Sequence, residues 1–259
     1  MRALLNLARR KPVLPREPVH ADVPQLRAAT MAAVYYGNRM GGDFYDFLRV
    51  SPQRILFGLL DVAGRLEDNH DIVTSAQQTF RSLGAELFAK EDVNEAEAII
   101  ELCLQLNRTI LNTAGSVHSS PAFAGCYDEN MGTVWYFNAG HTPGLVRDDT
   151  GVAELPATGL PLGLFSHSTC DSTTVVLEPG AVLLLVSRGI VEAKCQSQEL
   201  GLEQVKAGLK QSTAENAQEV CLGVLDQVQE FMCKPPTHND VTALALFRDG
   251  VGKKPSVAS

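Results

Sequence analysis

Strand-like runs in this chain come in clusters instead of alternating with helices, and that order limits its fold more than any other feature. Segments 30–36, 43–50 and 55–60 are short apolar runs set apart by Gly37, by Gly41-Gly42 and by Ser51-Pro52-Gln53, and the last two read as a hairpin. Ile72, Ala76, Phe80, Leu83 and Leu87 then recur at three- and four-residue steps. Val93, Ala96, Ile99, Cys103, Leu106 and Ile110 do the same, so two helices follow, the second capped by Asn94 or Asp92. Strands return at 122–127 and 133–138, at 144–147 and 152–155, and at 173–177 and 181–187, each pair around a turn. Two helices fit 202–209 and 214–231, and a strand at 241–247 closes the pattern. Clustered hairpins imply antiparallel sheets, not βαβ units. The expected fold is α+β: a four-layer α-β-β-α sandwich of two antiparallel sheets, each covered by a helix pair.

The chain's 259 residues suffice for one large domain, expected over 25–248. An extended arm over 1–24, with Pro12, Pro15 and Pro18, is expected before it, and a disordered tail over 249–259 after it. Hydrophobic residues make up 45% of the chain, enough for a sizeable core. A formal net charge of −8 argues against a general nucleic-acid binder. No apolar run approaches the ~20 residues that span a bilayer. Residues 1–11 lack the continuous apolar stretch of a signal peptide. Six cysteines, at 103, 126, 170, 195, 221 and 233, form no CxxC. They read as free thiols in a reducing compartment, which places the chain in the cytoplasm.

Three aspartates fall at strand ends beside turns. Asp43 follows Gly41-Gly42, Asp61 ends an apolar run, and Asp240 opens the final strand. A carboxylate there lies near a sheet rim, where burial without a partner is costly. Hard divalent cations take such oxygen ligands, and Mg²⁺ keeps several waters beside one or two carboxylates. On spacing alone, each aspartate reads first as the cap of its turn and only second as a metal ligand. No GxSxG, GxxxxGK[ST] or GxGxxG occurs. His141 reads as part of a turn between two strands.

Taken in order, several segments resemble the PPM-type, metal-dependent protein phosphatases of the SpoIIE/RsbU-like branch. Gly41-Gly42-Asp43-Phe44-Tyr45-Asp46 resembles GGDxYD, and Asp61-Val62-Ala63-Gly64 resembles DVSG. Asn138-Ala139-Gly140-His141-Thr142-Pro143 resembles NAGHxP, Pro161-Leu162-Gly163-Leu164 the PLGL turn, and Asn239-Asp240-Val241-Thr242 the closing NDxT. The resemblance implies a protein serine/threonine phosphatase that uses one or two Mn²⁺ or Mg²⁺ ions. It implies metal ligands at Asp43, Asp61, Asp240 and the Val62 carbonyl. It also implies a phosphate-gripping arginine, for which Arg39 is the candidate. A phosphorylated protein substrate, such as an anti-sigma-antagonist-like domain, comes with it.

One departure bears on the chemistry. Where the family expects Thr-Asp-Gly-Val-Thr-Glu-Ala, this chain reads Ser187-Arg188-Gly189-Ile190-Val191-Glu192-Ala193, so a cation replaces a metal-binding carboxylate. Arg188 is therefore a second phosphate-binding candidate, paired with Asp61 or Asp240. The alternative is a pseudophosphatase that binds a phosphoprotein or regulator without turning it over. A homodimer through the helix at 214–231 is a further reading, although its apolar stripe suits the sheet better.

Overall fold

The computed structural model describes residues 22–250 except 37–41, 63–65, 168 and 234–239. Arg39, Ala63-Gly64, Asn239, most of the N-terminal arm and most of the tail thus lie outside the described residues.

The strands run β1 (Ala29–Tyr36), β2 (Gly42–Arg49) and β3 (Arg54–Val62), then α1 (Leu66–Phe88) and α2 (Glu95–Ala114). Next come β4 (Ala122–Asp128), β5 (Thr133–Ala139), β6 (Gly144–Asp148), β7 (Gly151–Leu155), β8 (Thr173–Val176) and β9 (Val182–Val186). A short helix α3 (Arg188–Val191) and a small hairpin, β10 (Lys194–Cys195) and β11 (Gln198–Glu199), follow. The chain ends with α4 (Gly201–Gln211), α5 (Ala217–Phe231) and β12 (Val241–Arg248). One five-stranded sheet has the order β2-β3-β4-β5-β8 and the other β1-β12-β9-β6-β7. Every strand pairing within them is antiparallel.

Helices α1 and α2 cover the first sheet, and α4 and α5 cover the second. Three apolar clusters fill the gaps, one under each helix pair and one between the sheets. This is the expected four-layer sandwich. Its central strands are buried on both faces, which explains why β3, β9 and most of β12 read as unbroken apolar runs. Burial of a side chain such as Phe57 or Leu59 stabilises the fold by roughly 1.5–3 kcal/mol.

Local signals explain the helix starts. The Asn94 side chain accepts from the Glu97 N–H, and Asn216 does the same for Glu219. The second cap moves the start of α5 to Ala217, past the expected 214. The stripe Ala217, Val220, Val224 and Val228 is buried against the sheet, as its pattern suggested, and so is not available for a dimer.

One expectation is corrected. Cys195 and Cys233 form a disulfide, joining the β10–β11 hairpin to the end of α5. The other four cysteines are free and buried. The pair lies 38 residues apart in the chain, and only the docking of α5 beside the hairpin brings its Cα atoms to 4.9 Å. Among the described residues, no helix is long and apolar enough to cross a membrane.

Candidate active site

Strand parity decides which side chains reach the gap between the sheets. Successive residues of a strand point to opposite faces. Asp61 shares its face with Leu59, Phe57 and Ile55, which pack between the two sheets, and Asp43 shares its face with Tyr45 and Phe47. The β2–β3 register sets Asp43 directly opposite Asp61. On the other sheet, Thr242 lies on the face of Leu244 and Leu246, and Ser187 has the parity of Leu185 and Leu183. Two sheets thus deliver polar side chains to one rim of the inter-sheet layer. Asp46 has the opposite parity and points beneath α1, where Arg81 grips both carboxylate oxygens at 2.6 and 2.7 Å.

Hydrogen bonds join the two sheets at this rim. The Thr242 hydroxyl donates to Asp43 Oδ2 at 2.8 Å across 199 residues of chain. Ser187 Oγ donates to the Asp240 carbonyl at 3.1 Å and accepts from the Thr242 N–H at 3.0 Å. The Ser187 N–H in turn donates to the Thr242 carbonyl at 2.8 Å. Arg188, the next residue, sends its guanidinium to Asp61, with Nη2 3.4 Å from Oδ2. Its Nε lies 3.9 Å from Glu192 Oε1, one turn on.

The electrostatics follow from this crowding. Burial and the neighbouring charge of Asp61 push the Asp43 carboxyl up to about 8, against the hydrogen bond from Thr242. Burial also raises the Asp61 carboxyl, opposed by Arg188 and reinforced by Glu192 and Asp240. Acid groups within electrostatic reach of one another, and one half-exposed arginine among them, leave an excess of negative charge. That excess and the hard oxygen donors suit a divalent cation. Among the described residues, no three His, Cys, Asp or Glu side chains close into a ready-made cage. An ion here would complete its shell from backbone oxygen and water, as Mg²⁺ and Mn²⁺ commonly do. On the Arg188 side of Asp61 the space beside the carboxylate is taken by a guanidinium, 3.4 Å from Oδ2.

Asp43, Asp61, Asp240 and Arg188 are therefore brought to one rim, and Val62 is the buried last residue of β3 beside it. Ser187 and Thr242 belong to the same network, and the sequence reading assigned them no role. Their parity with the apolar residues of β9 and β12 was the available signal. The histidine and proline motifs act as scaffold. His141 N–H donates to Asn138 Oδ1 at 2.8 Å, and the Gly163 N–H donates to Asn107 Oδ1 of α2 at 2.8 Å. Gly140, at φ +67°, approaches Pro161 so closely that a Cβ would lie 2.6 Å from its ring. This packed layer reaches Asp61 through Pro121, whose carbonyl accepts from the Asp61 N–H at 2.8 Å.

Known proteins share this fold. The family model described as Stage II sporulation protein E (SpoIIE) matches residues 51–249. The phosphoserine phosphatase RsbU of Bacillus subtilis is 22% identical over 232 residues, covering 87% of this chain and 65% of RsbU. The crystal structure of the RsbU and RsbW domains of Rv1364c from Mycobacterium tuberculosis superposes with a TM-score of 0.73 at 22% identity, covering 88% of this chain and 62% of that one. RsbX, crystallised in complex with magnesium, superposes with a TM-score of 0.63 at 11% identity, covering 89% of this chain and 100% of that one. The chain thus spans less than two thirds of the length of RsbU and of the mycobacterial chain. With more than half of its residues under the family model and the fold to match, the chain belongs to the SpoIIE family.

Proposed function

We propose that this chain is a metal-dependent protein serine/threonine phosphatase that hydrolyses phosphoserine or phosphothreonine in a signalling protein. The observation that carries the reading is the gathering of Asp43 and Asp61 from one sheet, and Asp240 and Arg188 from the other, at a single rim. Asp61, Asp43, Asp240 and the Val62 carbonyl would hold a Mn²⁺ or Mg²⁺ ion. When bound, such an ion supplies Lewis-acid charge that acidifies water and offsets charge on phosphoryl oxygens.

The chain's own groups do the positioning. Thr242 holds Asp43 in place and favours its charged form, readying a buried carboxyl for a cation, while Ser187 ties down the Asp240–Thr242 backbone. Arg188 presents a guanidinium that is half exposed, with donors beyond the one facing Asp61, so it suits binding and orienting a phosphoryl group. Arg39 is a further candidate for that grip. Family membership supports a phosphoprotein substrate, and an anti-sigma-antagonist-like domain is the proposed partner. Action in the cytoplasm is part of the same proposal, supported by the four free buried thiols although Cys195 and Cys233 are paired.

Hydrolysis of p-nitrophenyl phosphate and of a phosphoserine protein, with and without Mn²⁺, tests the reading. The expected result is Mn²⁺-dependent turnover that Asp61→Asn abolishes while the variant stays folded. Turnover that persists in Asp61→Asn, or a wild type inert with Mn²⁺ and Mg²⁺ on both substrates, would refute it.

A further inference from the structure

We infer that Arg188 takes the place of a second divalent cation, so that this site holds one divalent ion beside a built-in guanidinium. The inference rests on the phosphatase reading for the location of the first ion, and it concerns only what stands next to that ion.

Three observations carry it. The guanidinium lies 3.4 Å from Asp61 Oδ2, on the carboxylate beside which a second ion would sit. Its backbone is fixed, because Ser187 immediately before it is tied by its N–H and its hydroxyl to Asp240 and Thr242. Its side chain also lies near a second carboxylate, Glu192, whose Oε1 is 3.9 Å from Nε. The cation thus stands at the rim with two carboxylates near its guanidinium and a tied-down backbone behind it.

The charge argument follows. A divalent ion brought to the Arg188 side of Asp61 meets a positive charge where it needs a negative one, and the repulsion doubles with the ion's double charge. Replacing a carboxylate by a guanidinium both removes an oxygen ligand and reverses the local field. What Arg188 retains is the ability to neutralise oxyanions. One edge of the guanidinium engages Asp61, and the planar fork has five N–H donors, so others remain for phosphoryl oxygens. Unlike an ion, the arginine is always charged and does not depart with chelator. The phosphate-binding half of the site therefore persists in metal-free protein.

The experiment counts ions directly. The full chain, its Arg188→Asp variant and its Arg188→Gln variant are titrated with Mn²⁺ by calorimetry and by the electron paramagnetic resonance signal of free Mn²⁺. Wild type is expected to bind one ion and Arg188→Asp two. Arg188→Gln, which removes the charge without restoring a ligand, is expected to bind its second ion at least tenfold more weakly than Arg188→Asp. If Arg188→Asp does not fold, the wild type and Arg188→Gln decide the matter: the charge argument requires that wild type bind no second ion more tightly than Arg188→Gln does. Two ions of similar affinity in wild type, or one in a folded Arg188→Asp, would overturn the inference. One ion in wild type without hydrolysis would sink the phosphatase reading and leave this inference standing. Two ions with hydrolysis would do the reverse, and no ion at all would sink both.

Discussion

Removing Arg81 isolates a single buried charge in the sheet that carries the site. Asp46 is fully buried, and its carboxylate accepts from Arg81 Nε and Nη2, from Gln77 Nε2 at 3.3 Å and from the Phe47 N–H at 2.9 Å. The side chain of Arg81 is 32% exposed and that of Asp46 only 1%. Solvent therefore screens the attraction at the arginine end. The cost of the Arg81→Met change is set by stranding the carboxylate beneath α1. Breaking a buried pair from one side costs about 3–5 kcal/mol. For an m near 3 kcal/mol/M, that corresponds to a urea midpoint lower by roughly 1–2 M. The matching fall in Tm is about 10 °C for a chain of this size. Urea unfolding followed by far-ultraviolet circular dichroism at pH 7 measures it. The double variant Asp46→Asn/Arg81→Met leaves no charge to strand, keeps an oxygen for the Phe47 N–H and presents an N–H to Gln77, whose amide can turn to accept it, so it should recover at least about 2 kcal/mol of the loss. A single variant within about 1 kcal/mol of wild type, or a double variant no more stable than the single, would refute the reasoning.

Other outcomes follow from the same structure. Thr242→Val removes the hydroxyl that donates to Asp43 while keeping the shape, and should weaken Mn²⁺ activation by about ten- to a hundredfold, read as the Mn²⁺ midpoint of hydrolysis; an unchanged midpoint would show that the bond does not prepare the ligand. Burial holds the His141 imidazole down at about 4, below its ordinary 6.5, so between those values the unfolded chain takes up the proton more readily. Stability should therefore fall as pH drops through that window, by up to about 1.4 kcal/mol per pH unit, and His141→Gln should flatten this limb in urea midpoints at pH 7, 6 and 5. Parallel profiles for wild type and variant would sink the assignment.

Much of the fold was legible because its signals are local. Apolar runs broken by Gly and Pro mark the strands, although the turn at 178–180 joins β8 and β9 of different sheets and not a hairpin, and the 3.6-residue stripes of α1, α2 and α5 mark the helices. The short α3 and the β10–β11 hairpin went unread because four- and two-residue elements carry no period. The strand order was equally hidden. β12 lies between β1 and β9, a placement decided by which apolar faces meet and not by any residue of β12 itself.

The site divides along the same line. Strand ends bearing Asp43, Asp61 and Asp240, and an arginine standing where the family carries an acid, can be read from the chain alone, since each depends on its immediate neighbours. Tertiary structure alone decided that Thr242 reaches Asp43, that Ser187 ties down the Arg188 segment, that Arg188 contacts Asp61, and that Cys195 meets Cys233. Each of these links residues far apart in sequence, and their meeting depends on how two separately formed sheets stack and on the face that strand parity assigns to every side chain.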